Sequence, residues 1–236
     1  MTAPADVRGV VEAARSLGEL PARDRRWTHL SLCVLDAVFS IGARYSATTR
    51  TVWSYAHLQG LPHVLEPAAE VAAGVYADTE EPVSSLRDAI ARGGPDAFAA
   101  QVQNRQRTSP RGGVPKAQAT HDYAAALADC GVLRLADVPT LLTDPSRLAP
   151  LETQLSRVPG HGAHGVRMSY LWMLSGDDDH IKPDRMVLGW LHQVLGRAVA
   201  PPEATALLSD AAAELRVTPW QLDHAVWNHR RGVRAQ

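Results

Sequence analysis

An all-α fold is predicted for this chain by three observations. Apolar residues recur at spacings of three and four, Gly- and Pro-rich punctuation cuts those runs into helix-sized pieces, and no stretch alternates as a half-buried strand does. Val7, Val10, Val11, Ala14 and Leu17 mark one face of a first helix. Residues 30–41 are apolar nearly all round, which suits the centre of a core. Residues 68–76, 83–91, 97–103, 117–130 and 136–142 follow with helical composition. They are separated by Gly60-Leu61-Pro62, Gly93-Gly94-Pro95, Pro110-Arg111-Gly112-Gly113 and Asp144-Pro145. After a turn at Val158-Pro159-Gly160-His161-Gly162, helical spacing returns from residue 163 with Val166, Tyr170, Met173 and Leu174. The last helices are expected at 185–195, 202–215 and 219–229, the final one carrying Trp220, Leu222, Val226 and Trp227. The chain has no internal repeat and no low-complexity tract.

At 236 residues and 45% hydrophobic, the chain can bury a full core as one large domain or two interleaved lobes. No apolar run approaches the ~18 residues of a membrane span, and the N-terminal segment lacks the core of a signal peptide, so a cytoplasmic protein is expected. Cys33 and Cys130 each lie in a helix-like segment and read as buried free thiols. Two cysteines cannot supply a four-thiolate iron–sulfur cluster. A formal net charge of −1 gives no global attraction to nucleic acid. Arg105, Arg107, Arg111 and Lys116 nevertheless share a run without a single acid, and Arg230, Arg231 and Arg234 crowd the tail. Local patches of this kind can contact phosphates.

The segment richest in chemistry is 155–184. Its Pro159-Gly160-His161-Gly162 turn joins two helices, and its glycines let the backbone approach a ligand closely. The next helix opens there with unpaired N–H groups and the positive end of its dipole, a corner that binds phosphate without a charged side chain. Asp184 follows 22 residues after Gly162, behind Pro183, at the start of another apolar helix. That is an N-cap position, where backbone N–H groups donate to a carboxylate.

Together, this turn and the segment Ile181-Lys182-Pro183-Asp184-Arg185-Met186-Val187-Leu188 resemble the helix-hairpin-helix (HhH-GPD) superfamily of DNA glycosylases. Residues 30–53 are similar to that family's early buried helix, DNA-penetrating loop and following helix, so the resemblance spans roughly 30–191. It implies a two-lobe fold, with residues 40–180 as a helical barrel bearing the hairpin, and residues 1–39 and 181–236 as a second helical lobe. The lack of cluster cysteines points to the cluster-free branches. No cofactor is implied beyond a monovalent cation bridging the hairpin carbonyls. The implied partner is double-stranded DNA, bound by a monomer.

The implied chemistry is hydrolysis of an N-glycosidic bond, in which positive charge builds on the sugar and a fixed carboxylate stabilises it or orients a water. Asp184 is the candidate for that role; its alternative is a plain N-cap. Family members that also cut the strand use a lysine two residues after the second hairpin glycine, where this chain has His164, which cannot form an imine. A monofunctional enzyme is therefore implied, unless Lys182 serves as the amine from another direction. Asp36, a lone carboxylate in an apolar helix, is a second acid candidate, with an arginine pair or a capping role as alternatives. Pro159, Gly160, His161, Gly162 and His164 would meet the DNA backbone, with Arg111 and Lys116 as further phosphate contacts. Arg44 and Tyr45 stand where the resemblance puts the wedge that fills the gap left by a flipped base. Tyr170 and Trp172 read as core or pocket lining, and Asp177-Asp178-Asp179 with His180 as a solvated loop. A catalytically silent DNA-binding module is the alternative function, since it keeps the hairpin and does not need Asp184.

Overall fold

In a computed structural model that describes residues 2–162 and 165–235, with side chains as far as residue 232, the chain is mostly helical and divides into two compact units. The central unit runs from Arg25 to Gly176, and the terminal unit joins the segment ending at Asp24 to the segment beginning at Asp177.

The terminal unit holds α1 (Pro4–Arg15), α10 (Arg185–Leu195), α11 (Pro201–Leu215) and α12 (Pro219–Ala235). Helix α1 buries Val7, Val10, Val11 and Ala14, the face its spacing predicts, against α10 and α11. Pro4 and Pro201 each stand in the first turn of their helix, where a missing N–H costs nothing. On α12, His224 stacks between Trp220 at 4.6 Å and Trp227 at 6.1 Å, and Arg23 lies 4.1 Å from the Trp220 ring.

The central unit holds α2 (Leu30–Phe39), α3 (Tyr45–Gln59), α4 (Ala68–Ala72), α5 (Val83–Gln101), α6 (Lys116–Asp129), α7 (Asp137–Leu142), α8 (Pro145–Arg157) and α9 (Val166–Leu174). All ten residues of α2 are buried, and it packs against α3, α5, α6 and α9. An all-round apolar helix must be surrounded, and the four helices that pack on it belong to the central unit. The central unit thus begins at Arg25, whereas the division expected from sequence falls at residue 40. Gly60 closes α3 in the left-handed conformation (φ 63°). The two helices expected at 83–91 and 97–103 form one kinked α5, broken at Gly94 (φ 80°, ψ 165°) ahead of Pro95. Helix α4 is shorter than expected, because the chain turns at Gly74 (φ 74°). Asp144-Pro145, read from sequence as a break, also starts α8: the Asp144 carboxylate accepts from Ser146 N at 3.0 Å.

No strand was expected, yet β1 (Arg25–Trp27) pairs antiparallel with β2 (Leu65–Pro67). Three residues are too few for alternation to register against the helical background. Among the described residues, no helix is long and apolar enough to cross a membrane. Cys33 and Cys130 are free thiols; burial pushes Cys33 up to about 12 and leaves it inert.

Candidate nucleic-acid interface

The turn after α8 is built by glycine conformations and a buried guanidinium. Gly160 and Gly162 have φ of 82° and 84°, a region that excludes other residues without strain. Arg167, on α9 and 1% exposed, donates to Val158 O at 2.7 Å and to Pro159 O at 3.2 Å. Its guanidinium lies 4.3 Å from the Tyr123 ring, and the Tyr123 hydroxyl is 3.2 Å from His161 Nδ1. Burial, with the nearby Arg167 charge, holds His161 below the usual imidazole range. A monovalent cation bridging the carbonyls of Val158 and Pro159 would have to displace Arg167, so the residues present do not fit a resident ion at those two oxygens. His164 lies outside the described residues.

The turn does not stand alone. A Cβ added to Gly160 would meet Thr108 Cγ2 at 2.8 Å and lie nearer still to Thr108 Cβ, so the loop 102–115 is pressed against it. This loop is pinned by an isolated bridge between Arg107 and Pro115 and by Arg107 Nε donating to Gly113 O at 2.7 Å. Lys116, expected to reach a phosphate, is corrected to a buried position, 1% exposed. Its ammonium donates to Phe39 O at 2.9 Å, Ile41 O at 2.7 Å and Gln106 Oε1 at 2.8 Å. All three N–H bonds are used, two of them on carbonyls at the C-terminal end of α2, where a cation is favoured. Burial lowers Lys116 to about 8, which leaves it charged at neutral pH. Through these bonds Lys116 ties the loop 102–115 to the segment that leads into Arg44 and Tyr45.

Arg44 is the exposed N-cap residue of α3, and Tyr45, its first residue, is 36% exposed. Arg111 and Pro159 are also exposed. Three segments therefore meet in the central unit: 37–65, 97–121 and 153–176. None contains an Asp or Glu, and together they carry eight of the 24 Lys and Arg residues of the chain. Six of these, Arg44, Arg50, Arg105, Arg107, Arg111 and Arg157, are exposed. Within these three segments a count of bases alone picks out only the 105–116 run; the signal is the absence of acids.

Asp36 is fully buried in α2. Its carboxylate accepts from Trp27 Nε1 at 2.9 Å and from the Tyr170 hydroxyl at 3.2 Å. Trp172 is core, with Nε1 donating to Glu152 at 3.2 Å.

In the terminal unit, Asp184 caps α10: Oδ1 accepts from Met186 N at 2.7 Å and Val187 N at 3.4 Å. Its side chain is 21% exposed, and Oδ2 lies 4.0 Å from Lys182 Nζ. The segment before it is held by Asp223 on α12, whose Oδ2 accepts from Lys182 N at 2.9 Å. Burial, with the neighbouring Asp184 charge adding to it, raises Asp223 to about 7. Asp223 and Arg167 escaped sequence reasoning because Asp223 is one of many polar residues on α12 and Arg167 a lone charge on an apolar helix, with nothing local to mark the partner of either. Asp178 pairs with Arg23 at 2.8 Å, and Asp177 Oδ2 accepts from His180 N at 2.9 Å, so both carboxylates have partners. Among the described residues, no group of three or more acidic, histidine or cysteine side chains is arranged to hold a metal.

No curated protein matches the chain, and no solved structure matches it. One family model covers residues 6–231, nearly the whole length, and the chain belongs to that family, described as a domain of unknown function, DUF8548.

Proposed function

We propose that the protein is a monofunctional DNA glycosylase of the helix-hairpin-helix type, acting as a monomer on duplex DNA with no cofactor. The observation that carries this reading is the meeting of three acid-free segments around a glycine turn whose carbonyls are held from inside by Arg167. With its carbonyls drawn inward, such a turn offers main-chain N–H groups to a backbone phosphate. Arg111 and Arg157, exposed in the same unit, bind the flanking phosphates, and Arg44 or Tyr45 fills the gap left by the flipped nucleotide.

Asp184 supplies the carboxylate that stabilises the sugar cation as the N-glycosidic bond lengthens. Two backbone N–H groups hold it in place, and Asp223 fixes the chain just before it. Water then adds to the sugar, and the base leaves with a proton. The hairpin belongs to the central unit and Asp184 to the terminal one.

The full N-cap geometry of Asp184 favours a second reading, a silent DNA-binding module in which this aspartate only starts a helix. The purified protein, incubated with duplexes each bearing one modified or mispaired base, separates the two. Alkali-dependent strand breaks that vanish in Asp184→Asn are expected of the enzyme. Binding to abasic or bent DNA without breaks on any substrate would establish the module, and breaks without alkali would implicate Lys182 as a lyase nucleophile.

A further inference from the structure

The central unit contains a groove of about 390 Å³ between α3 and the loop that follows α5. Its floor is a buried pair, Asn104 Nδ2 donating to Thr51 Oγ1 at 2.9 Å, and its rim carries Arg50 and Arg105. Both arginines are exposed, and among the described residues neither forms a salt bridge. The segments that supply them are acid-free. Gln106 adds a donor: its Oε1 is taken by Lys116 Nζ, which leaves the amide NH2 for another partner. The backbone at the rim is also strained, with Gln103 at φ 53°, a conformation that costs a non-glycine residue energy and clusters at binding sites.

We infer that this groove is a second phosphodiester subsite, separate from the glycine turn, with Arg50 and Arg105 as its anion ligands. Its volume lies within the range of small-ligand sites, which are typically about 300–1,000 Å³, and can accept a phosphate with an attached sugar. Two guanidinium groups without carboxylate partners favour a diester oxygen pair over a neutral ligand. The polymeric nature of the ligand rests on the DNA reading above; the anion chemistry of the groove does not.

The test is the salt dependence of binding to a duplex containing an abasic-site analogue, measured by fluorescence polarisation across a KCl series. Each phosphate that a cation no longer neutralises makes the slope of log K against log salt shallower by about 0.9, so Arg50→Ser with Arg105→Ser is expected to reduce it by about 1 to 2. Arg8→Ser, an equally exposed arginine on α1, is expected to leave it unchanged. An unchanged slope in the double variant overturns the subsite and leaves the DNA reading standing. A titration with a thymidine dinucleotide carrying one phosphodiester, followed by NMR at the Arg50 and Arg105 side chains, reads the groove without the duplex. Shifts there in a protein that binds no duplex would support the subsite and sink the glycosylase reading. Equal shifts with inorganic phosphate alone would overturn the phosphodiester assignment, as would no shift with either.

Discussion

Replacing Gly160 by alanine tests whether the glycine turn and the basic loop form one surface. Two costs act there. A φ of 82° puts an alanine in the left-handed region, at about 1–2 kcal/mol, and the new Cβ would drive into Thr108, an overpacking worth about 1–3 kcal/mol more. Gly162 isolates the first cost: its φ is 84°, but among the described residues an added Cβ meets only Val166 Cβ, at an ordinary 3.9 Å. Gly160→Ala is therefore expected to lose about 2–5 kcal/mol and Gly162→Ala about 1–2. Urea unfolding followed by tryptophan fluorescence measures both. Thr108→Gly removes the obstructing Cβ, so adding it to Gly160→Ala is expected to recover the packing part of the loss and not the backbone part. The same change beside Gly162→Ala is expected to be additive. Equal losses at Gly160 and Gly162, or no coupling with Thr108, would refute the claim that the loop rests on the turn.

Lys116→Met removes the donors of two main-chain carbonyls and one amide oxygen, and is expected to cost about 2–4 kcal/mol at pH 7 by chemical denaturation. Burial lowers Lys116 to about 8, so between there and its ordinary value the unfolded chain binds more protons; wild-type stability then rises with pH across that window, and Lys116→Met is expected to lose the rise. Arg167→Met is expected to cost about 2–4 kcal/mol and to weaken duplex binding, with Arg167→Lys, which cannot span both carbonyls as a fork, recovering only part in the same assays. Asp223 is raised to about 7, so the folded chain binds more protons from about pH 4 to 7 and stability falls as pH rises through that range. Asp223→Asn, which keeps an acceptor for Lys182 N, is expected to flatten that fall in thermal melts taken across the same pH range.

What could be read from sequence was local. Pro183-Asp184 before an apolar run announced the cap of α10, and the glycines at 160 and 162 announced a turn in which both take positive φ. The all-round apolar character of 30–39 announced a central helix, though not which unit would enclose it. What could not be read was set by distant partners. Asp36 looked like a costly lone carboxylate until Tyr170, 134 residues away, and Trp27 supplied its donors. Lys116 looked like one more base in a basic loop, and only the fold brings the end of α2 beneath it. Arg167 sits in an apolar helix, and its chain-local neighbours give no hint that two turn carbonyls converge on it.

The near-neutral charge of the chain weighs less against a nucleic-acid partner once its charges are placed. Exposed charges more than about 10 Å apart are largely screened at 0.1 M salt, so a phosphate responds to the local population and not to the total. The three acid-free segments hold eight cations and no acid, which leaves 16 cations against 25 acids for the rest of the chain. Within the eight the work is divided. Lys116 and Arg167 face inward, where each holds backbone carbonyls and so fixes a loop or a turn. The other six face solvent on the segments so fixed. Nor does the acid within α2 offset them at the surface, because Asp36 is fully buried beneath Trp27 and Tyr170. A surface basic only on average would hold its arginines on mobile loops and lose side-chain and backbone entropy on binding. Here the inward-facing cations order the loops before any ligand arrives, which is how a chain of charge −1 would present the anion-binding face proposed above.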